Sequence, residues 1–189
     1  MIIAAHQPNF LPNLAFFSKM KSADKFVIIT NLQFEKHEGW QQRHKIKGPN
    51  NDIWLTVPVL GSQNQKISDV KINNQINWRQ KQSKTIALTY AKSKGRAFLP
   101  KILGIYEKQW ERLVDINCAS ILIFKDILAI KTPVVIDEEV SGNRQELLIN
   151  ICKKYGADTY LSGVGVKLYL DARKMAELKR NRIKHKIIE

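Results

Sequence analysis

The sequence predicts an α/β fold: a three-layer, Rossmann-like, mostly parallel sheet with two strand–helix–strand units, and an antiparallel insert plus helices between them. Three observations lead there. The apolar runs at residues 2–5 and 26–30 are continuous, as in strands buried on both faces of a parallel sheet. A segment of helical period separates them, and a strand–helix–strand order returns after residue 132. Between the two units the pattern turns to alternation and then to long helical periods.

In chain order, IIAA is the first strand, and it ends in His6-Gln7-Pro8 and a loop held between Pro8 and Pro12. LAFFSKMKSA places Leu14, Phe17 and Met20 at helical spacing, with Phe16 and Ala23 beside them, and Asp24 closes it. FVIIT is the second strand. WQQRHKIKG and DIWLTVPVL are expected to pair across Gly48-Pro49-Asn50-Asn51, with alternation continuing through KISDVKINN, so a β insert spans about residues 35–75. A helical insert follows over about residues 77–130: INWRQKQSKTIALTYAKS, then RAFLPKILGIYEKQWERL with Pro100 at its start or at a kink, then DINCASILIFKDILAI. TPVVID opens the second unit, and Ser141-Gly142-Asn143 can cap the helix RQELLINICKKYG, which Gly156 stops. ADTYLSG is the next strand and KLYLDARKMAELKRNR the last helix. The whole of residues 1–189 reads as one domain.

Composition is globular, with 44% hydrophobic and 25% charged residues. No apolar run approaches the ~20 residues of a membrane span, and no basic segment precedes the first apolar run as in a secretory signal. A soluble, cytoplasmic protein is the expectation. Cys118 and Cys152 lie on apolar helix faces without neighbours at ligand spacing, so they read as buried hydrophobes and no metal site is expected. A formal charge of +14 favours anionic partners: a phosphorylated metabolite, nucleic acid or an anionic membrane surface. Lysine-rich composition alone produces the same excess, so charge names no partner. There is no P-loop, no serine nucleophile elbow and no HExxH.

Parallel sheets bind ligands beyond the carboxyl ends of their strands. His6-Gln7-Pro8, Thr30-Asn31, Asp137-Glu138-Glu139 and Ser162-Gly163 all fall there. His6 is the catalytic candidate, since imidazole exchanges protons near neutrality; the competing reading is a histidine satisfied by backbone. In the segment after Asn31, Arg43 can grip a phosphate or carboxylate with two parallel hydrogen bonds. Alternation puts Arg43, Lys45 and Lys47 on one strand face. Trp40 can stack on a base or sugar ring, although core packing is its commoner role, and Trp54 reads as a core-strand residue. In the loop after residue 160, Ser162 offers a hydroxyl, Gly163 and Gly165 close backbone approach, and Lys167 a charge.

HQPNFLP with FFSKM, then ADKFVI, QFEKHEGWQQRHKIK, WLTVPV and ELLINICKKYGADTYLSGVGVKLYL occur in this order. Together they resemble the WbqC-like protein family. The resemblance implies a place in bacterial surface-polysaccharide (O-antigen) synthesis, as a transferase moving an acyl or aminoacyl group onto a nucleotide-activated amino sugar. It implies an anionic small-molecule partner and names no cofactor. It marks the His6-Gln7-Pro8 loop, the segment from Gln33 to Arg43 and the Ser162-Gly163 loop as the most characteristic features. Members often carry Trp and Gly where this chain has Asn13 and Ala15. They also continue past the Ser-Gly loop into another strand and a closing segment with its own polar motif; here the sequence closes with KRNRIKHKIIE, in which His185 can stand at the start of that block, so a shortened C-terminus is expected. The alternatives are a basic nucleic-acid-binding α/β protein and an inactive, truncated family member.

Overall fold

The structure, a computed structural model, describes residues 1–36, 39–61, 64–163, 165 and 172–188. The chain divides into two compact units, one of Met1–Gln7, Asn13–Leu32 and Ile130–Glu189, the other of Pro8–Pro12 and Gln33–Ala129.

Among the described residues the first unit holds five strands: β1 (Ile2–His6), β2 (Lys25–Ile29), β5 (Val134–Asp137), β6 (Thr159–Ser162) and β7 (Lys184–Ile187). They form one sheet in the order β5-β2-β1-β6-β7, and every pairing is parallel. β1 sits at the centre because Ile3, Ala4 and Ala5 are buried, with no polar side chain to solvate until His6. Residues alternate across it. Ile3 and Ala5 join Val27, Ile29, Leu148, Ile151, Tyr160 and Leu178 in one apolar cluster. That face takes α5 (Arg144–Tyr155) and α6 (Ala172–Arg180). On the opposite face Phe26 packs 5.2 Å, ring to ring, from Phe16 of α1 (Leu14–Lys21). Asn13 caps α1 by accepting the Phe16 N–H, and Gly156, at φ 65°, ends α5 as the sequence predicts.

β7 is where structure and sequence part. KHKI lacks the apolar character of a buried strand, and the sequence reading placed only a helix before it. It is an edge strand, mostly exposed, held by backbone pairing along β6.

In the second unit, β3 (Arg43–Lys47) and β4 (Asp52–Thr56) form the expected antiparallel hairpin across residues 48–51. The alternation in KISDVKINN does not make a third long strand. Ile67–Asp69 is a 3-10 turn, and Lys71 and Ile72 make only isolated bridges, to Arg112 and Val59. Three helices follow: α2 (Trp78–Tyr90), α3 (Leu99–Glu107), with Pro100 in its first turn, and α4 (Leu113–Ile127). Phe34, Leu55, Val57, Ile67, Leu113 and Ile116 are all buried. Cys118 and Cys152 are buried in their helices. Among the described residues no helix is long and apolar enough to cross a membrane.

The end of β5 is tied by Asp137. Its Oδ1 accepts the Glu139 and Val140 N–H groups at 2.8 Å, and its Oδ2 accepts the Tyr155 hydroxyl at 2.5 Å and faces Lys154 Nζ at 2.8 Å. Burial works to raise this carboxyl's pKa, but the hydrogen bonds from Lys154, Tyr155 and the two backbone amides outweigh it and hold it well below the usual carboxylate range. A carboxylate depressed in the folded state adds stability above its unfolded pKa, and that stability drains as pH falls through the acid range toward the folded value. Asp137→Ala is therefore expected to cost about 3 kcal/mol at neutral pH by chemical denaturation. The variant should also show a flatter loss of stability on acidification than the parent.

Candidate functional site

β1 lies where the strand order reverses, with β2 on one side and β6 on the other. In parallel sheets this is the point where a ligand crevice opens beyond the carboxyl ends. His6 is the last residue of β1. Its ring packs edge-on against Phe16 with centroids 5.1 Å apart, and Nδ1 lies 2.9 Å from the Gln7 carbonyl oxygen. A carbonyl only accepts, so the neutral ring carries its proton on Nδ1 and presents a lone pair at Nε2. The ring is neutral because burial, then the positive charge of Lys19, lower its pKa to about 3 against a partial upward pull from the Gln7 bond. His6 thus offers an acceptor, not a donor, to anything at Nε2.

Lys19 is the residue that sequence reasoning missed. It is 8% exposed, its Nζ donates to the Ala5 carbonyl at 2.9 Å, and burial lowers its pKa to about 8. Among the described residues no carboxylate pairs with it. A buried ammonium without a counter-ion is costly unless an anion arrives. The signal was present: Lys19 falls between Phe16 and Met20 on the buried stripe of α1, where a solvated lysine has no place.

The other strand-end residues divide. Thr30 donates its hydroxyl to the Asp137 carbonyl at 3.3 Å. Asn31 spends its Nδ2 on the Val140 carbonyl at 2.9 Å, and its buried Oδ1 has no partner among the described residues. Ser162 is buried at the end of β6, and its Oγ lies 2.9 Å from Nε2 of His185 on β7. Burial lowers the His185 pKa. Ile3 pairs with Tyr160, so continuing that register sets Ser162 opposite Ala5. Paired residues of parallel strands share a face. Ser162 and His185 therefore lie on the α5–α6 face, and His6 on the α1 face. A side chain at Gly163 would meet nothing within 4 Å among the described residues. Lys167 lies outside the described residues.

Only the first two residues of His6-Gln7-Pro8 belong to the sheet unit; Pro8–Pro12 belongs to the other. There, Asn117 of α4 is fully buried and donates from Nδ2 to the Pro8 carbonyl at 2.8 Å and to the Gln41 carbonyl at 2.7 Å. The Phe10 N–H donates to the Trp40 carbonyl at 3.0 Å, and Phe10 is buried. Leu11 is held at φ 46°, a left-handed conformation directly before Pro12. Gln33 is exposed and bridges Lys66.

The hairpin has two faces. His44 and Ile46 share one with the buried Leu55, while Arg43, Lys45 and Lys47 share the other with Trp54. Trp54 is not a core residue, as the sequence suggested, but 47% exposed, and Trp40 is 49% exposed. The Arg43 guanidinium lies 4.7 Å from the Trp54 ring centre and Lys45 Nζ 5.1 Å from it. Lys45 also faces Asp52 at 3.5 Å, but Arg43 makes no ion pair among the described residues and its buried Nε has no hydrogen-bond partner. Gly39, at φ 65°, leaves room for this arginine: a Cβ there would stand 2.6 Å from Nε.

Two measurements check this geometry. In a histidine NMR titration, His6 is expected to stay neutral from neutral pH to about pH 4 and to protonate near its lowered value of about 3, with Lys19→Met moving that step upward. A step in the ordinary histidine range for the parent would contradict it. Asn117→Ala leaves two buried carbonyls without their donor and is expected to cost about 2 kcal/mol in urea denaturation.

The family model described as "WbqC-like protein family" matches residues 7–188. A Mycobacterium tuberculosis (strain ATCC 25618 / H37Rv) protein described as "Uncharacterized protein Rv1507c" is 29% identical over 182 residues, covering 93% of this chain and 78% of that protein. No solved structure gives a significant match. A match running from the end of the first strand into the last establishes membership: the chain belongs to the WbqC-like protein family.

Proposed function

We propose that the chain is a transferase acting on a nucleotide-activated sugar, moving an acyl or aminoacyl group onto the sugar's amine or hydroxyl. One observation carries the reading: at the end of the central strand a neutral histidine, its Nε2 lone pair without a partner among the described residues, stands beside a buried ammonium that has no counter-ion among them. The ammonium fits an anionic substrate. The lone pair fits removal of a proton from a nucleophile.

In the step itself, the sugar's amine or hydroxyl attacks the carbonyl carbon of an activated acyl donor, a thioester or ester. The new N–C or O–C bond forms, and the donor's C–S or C–O bond breaks with its electron pair leaving on sulfur or oxygen. The attacking group's proton goes to His6 Nε2. Burial is the main cause of the depressed His6 basicity and the Lys19 charge the second, so an anion beside Lys19 relieves part of the depression and makes the ring a stronger base than in the free protein. WbqC-like membership supports the sugar-polymer context through the resemblance described above.

The test is a thermal-shift panel of nucleotide sugars followed by a turnover assay with activated acyl donors. Binding is expected to raise the Tm of the parent. His6→Ala should still bind yet turn over at least about 100-fold more slowly, and Lys19→Met should likewise turn over more slowly than the parent. No Tm rise with any nucleotide sugar, or parent-like turnover by His6→Ala, removes the basis of the reading.

A second reading rests on the exposed Trp40 and Trp54 beside Arg43 and Lys45: a surface for single-stranded nucleic acid. Such binding weakens steeply with salt. An electrophoretic titration without binding at low salt ends it.

A further inference from the structure

We propose that the outward face of the β3–β4 hairpin is a nucleotide platform. In this assignment Trp40 stacks the base of a nucleoside diphosphate, and Arg43, laid on Trp54, holds the diphosphate together with Lys45. It extends the reading above by giving the nucleotide a place within the second unit, and it makes no use of His6 or Lys19.

Four features of the hairpin carry it. Trp40 and Trp54, both about half exposed, have ring centres 6.5 Å apart and inclined by 39°. Two large aromatic surfaces left side by side in water mark a binding patch more than a packing accident. The patch is cationic by register. Lys45 lies directly across from Trp54, and Arg43 lies on the diagonal, so both side chains emerge on the same face as the indole.

The guanidinium is also preorganised. Its central carbon lies 4.7 Å over the Trp54 ring, which holds the group in place, while no carboxylate among the described residues occupies its donors. A flat guanidinium can meet two phosphate oxygens at once through its terminal nitrogens. Gly39 reinforces this, since any side chain there would drive into the arginine at 2.6 Å. Finally, Trp40 is anchored from behind: its carbonyl accepts the Phe10 N–H at 3.0 Å, and its ring rests 5.3 Å from that of His44. A rigid aromatic loses little entropy when a base stacks on it.

The chemistry selects one class of occupant. A neutral sugar would use the indoles but leave Arg43 idle, and inorganic phosphate would use Arg43 but leave Trp40 idle. A nucleoside diphosphate uses both.

The test is titration of the full chain with ADP, CDP, GDP, TDP and UDP, read by tryptophan fluorescence and by calorimetry. The variants are Trp40→Ala, Trp54→Ala and Arg43→Lys, with Trp40→Phe and Trp54→Phe as ring-retaining controls and circular dichroism to check folding. At least one nucleotide is expected to quench the parent's fluorescence. Each alanine variant should bind it about tenfold more weakly, the phenylalanine variants should retain most of the affinity, and Arg43→Lys should lose as much as the alanine variants.

Three results would overturn the platform. Binding untouched by the tryptophan variants would put the nucleotide elsewhere and leave the transferase reading standing. No binding of any nucleoside diphosphate removes the platform, whereas the transferase reading then stands or falls on the intact nucleotide sugars. Binding of a short single-stranded oligothymidylate without any binding of free nucleotides would turn the patch into a nucleic-acid surface.

Discussion

The sheet unit depends on burying β1 from both sides. A strand covered on both faces cannot carry polar side chains along its length, so Ile3, Ala4 and Ala5 leave polarity to its ends. Parallel neighbours on both edges require crossovers, and those supply α1 and α5 as the covering layers. What chemistry this unit has is therefore gathered at strand termini. His6 is the first polar side chain β1 can place, and Lys19 approaches the same end from the helix above it by taking the last buried carbonyl, that of Ala5.

Much of this was legible. Continuous apolar runs marked the buried strands, glycine 156 marked a helix end, and alternation on either side of Gly48-Pro49-Asn50-Asn51 marked the hairpin. The misses share a physical cause, since each depends on long-range packing. KHKI becomes a strand only because β6 offers an unpaired edge. The alternation of KISDVKINN has no partner strand to align with, so it breaks into a turn and bridges. Alternation reveals that Arg43, Lys45 and Lys47 share a face but not that Trp54 points the same way, because that follows from hairpin register.

The site residues fared unevenly for a related reason. Sheet topology brings His6 and Ser162 to neighbouring strand ends, yet the two-residue period turns them to opposite faces. A listing of strand ends cannot supply that distinction. Lys19 and Asn117 were visible as polar residues inside apolar helix stripes, an anomaly more telling than their residue types. The His6-to-Pro12 stretch proves to be two things: a strand terminus carrying the imidazole, and a loop clamped by Asn117 that passes through one strained leucine.

Lys19 has one more consequence. With a pKa near 8, this ammonium is partly unprotonated in mildly alkaline solution. An anion settling beside it favours the charged form, so association must draw protons from the medium. The heat of binding would then vary with the ionisation enthalpy of the buffer, and affinity for an anion would fall as the solution becomes more basic. Ligand capture and proton uptake at this strand end are one linked equilibrium.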